Sequence, residues 1–219
     1  MSIFFQHIFS SGKSKFALGR SRGFTLIELL VVSAIIVIIT MVLLLRQSRF
    51  DSSTILRSLA YSVALSVRQT QVYGTSVLGS NNSGAVSYAS AYGLYFSAAT
   101  PSSYVLFADF NNNGVYDSTE ETVKVFSLNT GYVISEVCTK LSGGSNRCTG
   151  ADDSSGMRTI TSLNILFKRP NPDAVFTTDI NGESYISGYI QVRSGDGTTR
   201  SVVITSPGQI SVQAPGTLP

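Results

Sequence analysis

Twelve residues of this sequence have the spacing of a cation-binding loop. Asp109, Asn111, Asn113 and Gly114, followed by five residues and then Glu120, fit the calcium-loop pattern D-x-[DN]-x-[DN]-G-x5-E. Oxygens at alternate positions would converge as the chain turns at Gly114. Val115 would give its carbonyl, Asp117 would act directly or through water, and Glu120 would close the shell with both oxygens. Such a site would bind calcium with the weak affinity of extracellular modules, roughly 10⁻⁴–10⁻³ M. The same residues have a plainer use. Asn112-Asn113-Gly114 suits a turn between a strand ending near Asp109 and one starting near Thr122. The helices that flank an EF-hand are missing from the pattern.

Cys138 and Cys148 are the only cysteines. Between them lies Ser142-Gly143-Gly144-Ser145-Asn146, which can turn the chain back on itself. In an oxidising compartment a disulfide is the natural outcome, and closing so short a loop is worth about 2–3 kcal/mol in the loop-entropy picture. The alternative is two unpaired thiols. The sole histidine, His7, sits near the start of the chain. Everything after it lacks the imidazole of Ser/His/Asp and Cys/His arrangements. No phosphate-binding Gly-Lys-Ser/Thr loop or dinucleotide glycine fingerprint is present. The composition therefore argues against an enzyme.

One more carboxylate stands out by its surroundings. From Phe24 to Leu45 the only charge is Glu28. A carboxylate in a membrane-length apolar helix costs about 2.5–3.5 kcal/mol on insertion scales. Glu28 should therefore have a partner. A secretory signal would have a shorter apolar run and a small-x-small cleavage site. Here the run leads into Met41-Val42-Leu43-Leu44-Leu45-Arg46 instead. Lys13, Lys15, Arg20 and Arg22 hold the preceding segment in the cytoplasm and place the remainder outside it.

The elements that must position these groups follow from glycine and proline placement. None occurs from Phe24 to Tyr73, so one long helix is expected, apolar in its first half and amphipathic in its second. Ile55, Leu59, Val63 and Val67, with Leu56, Ala60 and Ala64 beside them, form the expected packing stripe. Gly74 is the expected stop. Ser33 and Thr40 can donate to carbonyls one turn earlier. Short β-rich runs follow: 92–98, 104–109, 122–128, 132–139, 163–168, 189–193, 201–205 and 209–213, with a weaker one at 175–178. Segments 143–156 and 171–183 are expected as loops. The fold class is α+β: a long N-terminal helix on an antiparallel β head, with two sheets.

The string Gly23-Phe24-Thr25-Leu26-Ile27-Glu28-Leu29-Leu30-Val31-Val32 resembles the N-terminus of type IV prepilins and type II secretion pseudopilins. The resemblance implies cleavage after Gly23 and N-methylation of Phe24. It also implies that Glu28 pairs with the N-terminal amine of a neighbouring subunit during filament assembly. The runs 92–96, 104–117 and 200–212 resemble the head of the GspH/FimT family of minor pseudopilins and minor pilins. That implies a low-copy subunit that helps initiate a filament. The organisation would be a leader at 1–23, a transmembrane and assembly helix at 24–73, and a globular head at 80–219. Partners would be other pilin or pseudopilin subunits, a prepilin peptidase and the inner membrane, with the head outside the cytoplasm and later in a filament. An alternative is a tip module whose head contacts DNA, a secreted substrate or a surface.

Nucleic acid is the weaker partner. The net charge is +3, from sixteen basic and thirteen acidic residues. Removing the leader's four basic residues leaves twelve against thirteen, a formal −1, with no clustered basic run. Arg158, Lys168, Arg169, Arg193 and Arg200 would have to fold together to make a basic face. Tyr88, Tyr92, Tyr95, Phe96, Tyr104 and Phe107 could stack on a ligand, but strand cores are the commoner use of such residues.

Overall fold

The computed structural model describes residues 23–76, 79–82, 85–88, 90–117, 121–150 and 159–214. Residues 1–22 of the leader, Glu120 and Arg158 lie outside the described residues. The chain divides into two compact units, residues 1–45 and 46–219. Helix α1 covers Leu26–Thr75.

In the first unit the helix is apolar on all sides. Leu26–Leu44 is 19 residues long with a mean hydropathy of 3.0 and no buried residue. At 1.5 Å per residue this is about 28 Å, close to the thickness of a bilayer's hydrocarbon core. The hydroxyls are satisfied within the helix, as expected. Ser33 Oγ donates to the Leu30 carbonyl and Thr40 Oγ1 to the Ile36 carbonyl, both at 2.9 Å.

In the second unit the helix packs on β structure. Strands β1 (Ser80–Asn82) and β2 (Ala85–Ser87) form a small hairpin. The head proper comprises β3 (Ala91–Ser97), β4 (Ser103–Asp109), β5 (Thr122–Ser127), β6 (Tyr132–Leu141), β7 (Asn146–Cys148), β8 (Ser162–Phe167), β9 (Ala174–Thr178), β10 (Tyr185–Ser194), β11 (Thr199–Thr205) and β12 (Ile210–Gln213). They make two five-stranded sheets in the orders β5-β4-β3-β8-β9 and β12-β11-β10-β6-β7. Every neighbouring pair is antiparallel. The fold class is therefore the expected one.

One core unites the layers. Leu94, Phe96, Leu106, Leu163, Ile165 and Phe167 line the first sheet, and Ile134, Val137, Ile190, Val192, Val202 and Ile204 line the second. Alternation along the strands puts these side chains on facing surfaces, and the extra residue Ser135 at the β6–β10 irregularity brings Ile134 to the same face as Val137. Leu56, Ala60, Val63 and Val67 of α1 complete the cluster. The buried stripe runs 56-60-63-67 to Gly74, all four of them residues of the expected stripe, while Leu59 of the expected four-residue row is half-buried. Ile55 is 41 % exposed. The reason is geometric. A strict four-residue repeat drifts off a face that repeats every 3.6 residues, whereas five turns lead from position 56 to 74.

Polar bonds lock the helix at both ends of this contact. Ser52 Oγ donates to Asp196 Oδ2 at 2.7 Å, in the β10–β11 turn. Gln71 Nε2 donates to the carbonyls of Pro172 at 2.9 Å and Gly208 at 3.2 Å. Midway, the Ser66 and Tyr104 hydroxyls lie 2.9 Å apart in the core.

Gly74 does not end the helix, which continues to Thr75. A Cβ there would lie 2.2 Å from the Phe167 carbonyl oxygen, so the residue is small because strand β8 passes against it. Gly74→Ala is expected to cost about 1–3 kcal/mol by overpacking against rigid backbone. Denaturant unfolding checks this, and an unchanged midpoint would refute the close-approach argument.

The segment expected as a loop at 143–156 contains β7, which pairs with β6 through Cys138↔Cys148, Thr139↔Arg147 and Lys140↔Asn146. Its three residues, Asn-Arg-Cys, carry no β-branched or aromatic signal, and the register with β6 supplies the strand instead.

Candidate functional site

At the N-terminal end, Gly23, Phe24 and Thr25 precede the helix. Thr25 caps it. Its Oγ1 accepts from the Glu28 N–H at 3.3 Å and its carbonyl accepts from the Leu29 N–H at 3.2 Å. Glu28 is thus in the first turn, where a negative charge favours the helix dipole. It is exposed, and among the described residues its carboxylate has no partner; the one ion pair there is Arg147–Glu183. A Cβ at Gly23 would meet nothing within 4 Å. The chain's own described packing therefore does not demand glycine at that position.

The Asp109 loop is held from inside. Asp109 is buried, and its two oxygens accept the Asn113 and Gly114 N–H groups at 3.2 and 3.0 Å. Asn111 Oδ1 accepts from the Asn113 N–H, and Asn113 Oδ1 from the Val115 N–H. Asp117 Oδ2 accepts from the side-chain amides of Asn111 and Asn113 at 2.8 and 2.6 Å. Asn112 and Gly114 turn the chain with φ of 58° and 78°. The plain left-handed conformation suits these two residue types.

This link is more than a tight turn between β4 and β5. It crosses the outer face of the first sheet. The Tyr116 ring packs on Tyr95 of β3, with centroids 4.9 Å apart, and on Phe107 of β4 at 5.5 Å. The Tyr116 N–H donates to Asn164 Oδ1 on β8 at 3.2 Å, and the Gly114 carbonyl accepts from Thr177 of β9. Lys168 Nζ reaches Asn112 Oδ1 at 3.0 Å.

Glu121, absent from the sequence pattern, joins the group. It is buried, and its Oε2 accepts from the Asp117 N–H at 3.1 Å. Burial, and next the opposing pull of that N–H, then the charges of Asp117 and Asp109, leave its carboxyl raised above the usual glutamate range. A raised carboxyl favours the folded state most below its unfolded value, and that contribution is lost as pH rises through the folded value. Stability should therefore fall over the interval just above the ordinary glutamate range. Glu121→Gln is expected to flatten that part of the curve, read by denaturant midpoints at a series of pH values. An unchanged profile would remove Glu121 as its source.

Cys138 and Cys148 form a disulfide, as their spacing suggested. Of the aromatic run, Tyr92, Phe96, Tyr104 and Phe107 are core residues, and Tyr88 is the exposed one. The stacking use is thus overtaken by packing. Lys168 and Arg193 are exposed and Arg169 and Arg200 half-buried.

A bilayer-length apolar helix with one carboxylate in its first turn precedes the β head in sequence. Residues 18–44 match the family described as the prokaryotic N-terminal methylation motif. No curated protein and no solved structure matches the chain. The motif supports a pilin- or pseudopilin-type precursor, a structural subunit rather than an enzyme. It implies processing by a prepilin peptidase and assembly with other pilin-type subunits. The apolar helix fits anchoring near the N-terminus.

Proposed function

We propose that this protein is a minor pseudopilin or minor type IV pilin of the GspH/FimT kind. It is cut after Gly23, methylated at Phe24, and joins or initiates a pilus-like filament of a type II secretion or type IV pilus system. The observation that carries this is Glu28, the lone charge of an apolar span matched by the methylation motif. The head supports it by its architecture, a helix stripe on two antiparallel sheets. On the helix, Tyr61, Leu65 and Val72 point away from that core and are 56, 68 and 53 % exposed, which leaves apolar surface for neighbouring subunits. Co-purification of the processed chain with sheared filaments tests the reading. A chain that is processed but never found with filament subunits overturns it.

Calcium at the Asp109 loop is a separate proposal. It rests on the spacing of Asp109, Asn111, Asn113, Val115, Asp117 and Glu120 and on the mutual repulsion felt by Glu121. If it is right, millimolar calcium raises the melting temperature of the full chain in detergent, a chelator reverses the rise, and Asp109→Ala abolishes it. No shift, or an equal shift in Asp109→Ala, leaves the turn alone.

A further inference from the structure

Four residues lie in one row across the second sheet, on the face away from the core. Val203 pairs with Tyr189, Tyr189 with Cys138, and Cys138 with Cys148. They pack together, and Cys138, Tyr189 and Val203 are buried while Cys148 is half-buried. Glu136 lies two residues before Cys138 on the same face. A Glu136 carboxylate oxygen and the two sulfurs all lie within 4.8 Å of one another. The Tyr189 hydroxyl sits 3.5 Å from the Cys148 sulfur.

We propose that Glu136 and Tyr189 protect this disulfide from thiols by leaving one attackable sulfur whose partner is a poor leaving group. Cys138 has no exposed surface, so an incoming thiolate must attack Cys148 Sγ. The S–S bond then breaks, a bond forms between the reductant sulfur and Cys148, and the electron pair goes to Cys138 Sγ. A second thiolate of the same dithiol displaces Cys148, releasing the cyclic oxidised dithiol. The first step places a thiolate in a buried spot beside a carboxylate. Burial and a like charge both disfavour that anion. A leaving thiol of higher pKa departs more slowly. Tyr189 contributes by packing on both cysteines, which keeps Cys138 buried beside the carboxylate. Lys140, one pair further along the same face beside Asn146, is half-buried and is the charge of opposite sign on that strand.

The test is the rate of reduction of the full chain in detergent by dithiothreitol at pH 8, read by alkylation and mass. Glu136→Gln is expected to be reduced roughly threefold to tenfold faster than the native chain. Asp173→Asn, which removes an exposed charge elsewhere, is expected to match the native rate. Urea dependence separates a local effect from unfolding. Rates rising less steeply with urea than global unfolding, with the Glu136→Gln difference kept, support the guard. Equal rates for Glu136→Gln and the native chain overturn it. So do rates that follow global unfolding in every variant, or an equal acceleration in Asp173→Asn.

Discussion

Gly23→Val is expected to leave the chain at its full 219 residues in a host whose prepilin peptidase processes the native protein completely. The argument begins with what glycine is not needed for. A Cβ at this position meets nothing within 4 Å, so the helix end beside it does not require a bare backbone. A branched side chain there should leave the α1 cap of Thr25 and the span Leu26–Leu44 unaltered. On the proposed reading a requirement for a small residue would come from the peptidase, which would have to close on the residue before the cut. On the proposed reading the native chain is expected to lose 23 residues and to become 196 residues beginning at Phe24, with one methyl group on its amine. Intact mass of membrane-extracted protein distinguishes the two species directly. Cleavage of Gly23→Val at the native rate, or a native chain that keeps its first residue, would falsify the processing assignment. Gly23→Ala is a useful intermediate, expected to be cut slowly because one methyl group is the smallest obstacle.

The span and the β head were legible for different reasons. Lipid-type composition is written continuously from Phe24 to Leu45, so the span needs no partner to be seen. The strands are written as alternation in β-branched and aromatic residues, and nine of the runs named from it lie on strands. What escaped depends on contacts between distant residues. The strand β7 is made by its register with β6. Gly74 looks like a stop signal until the Phe167 backbone is placed against it. The Asp109 loop could be read as a turn, but its course across the sheet depends on Asn164 and Thr177, 48 and 63 residues beyond their loop partners. Glu121 was passed over because the twelve-residue count ends one position earlier. Likewise the cysteine pairing follows from spacing, whereas the approach of Glu136 and Tyr189 follows only from the pairing of β6 with β10.

Glu28→Ala is expected to insert, be cleaved and be methylated as the native chain is, yet to be lost from filaments. Two energies push in the same direction. In the membrane the carboxylate costs up to about 2.5–3.5 kcal/mol, the figure for a helix centre, so its removal makes the bilayer a more comfortable resting place for the span. In the filament, as proposed, the carboxylate neutralises the Phe24 amine of a neighbour in desolvated surroundings. Removing one member leaves the other charge buried and unpaired, a penalty of about 3–5 kcal/mol. At about 1.4 kcal/mol per decade, the first term lowers incorporation by up to a few hundredfold and the second by about a hundredfold to a few thousandfold. The helix cap is not the cause of such a loss, because the Glu28 N–H that Thr25 accepts survives substitution. Glu28→Gln sharpens the assignment. It keeps size and hydrogen bonding but not charge, so it should fail nearly as badly if charge is what pairs. Membrane abundance and the mass of the processed chain serve as controls for insertion and cleavage. Sheared filaments, probed for this subunit against a constant amount of the main subunit, give the measurement. Native incorporation of both variants would mean that Glu28 answers to the first turn of the helix and not to a neighbouring amine.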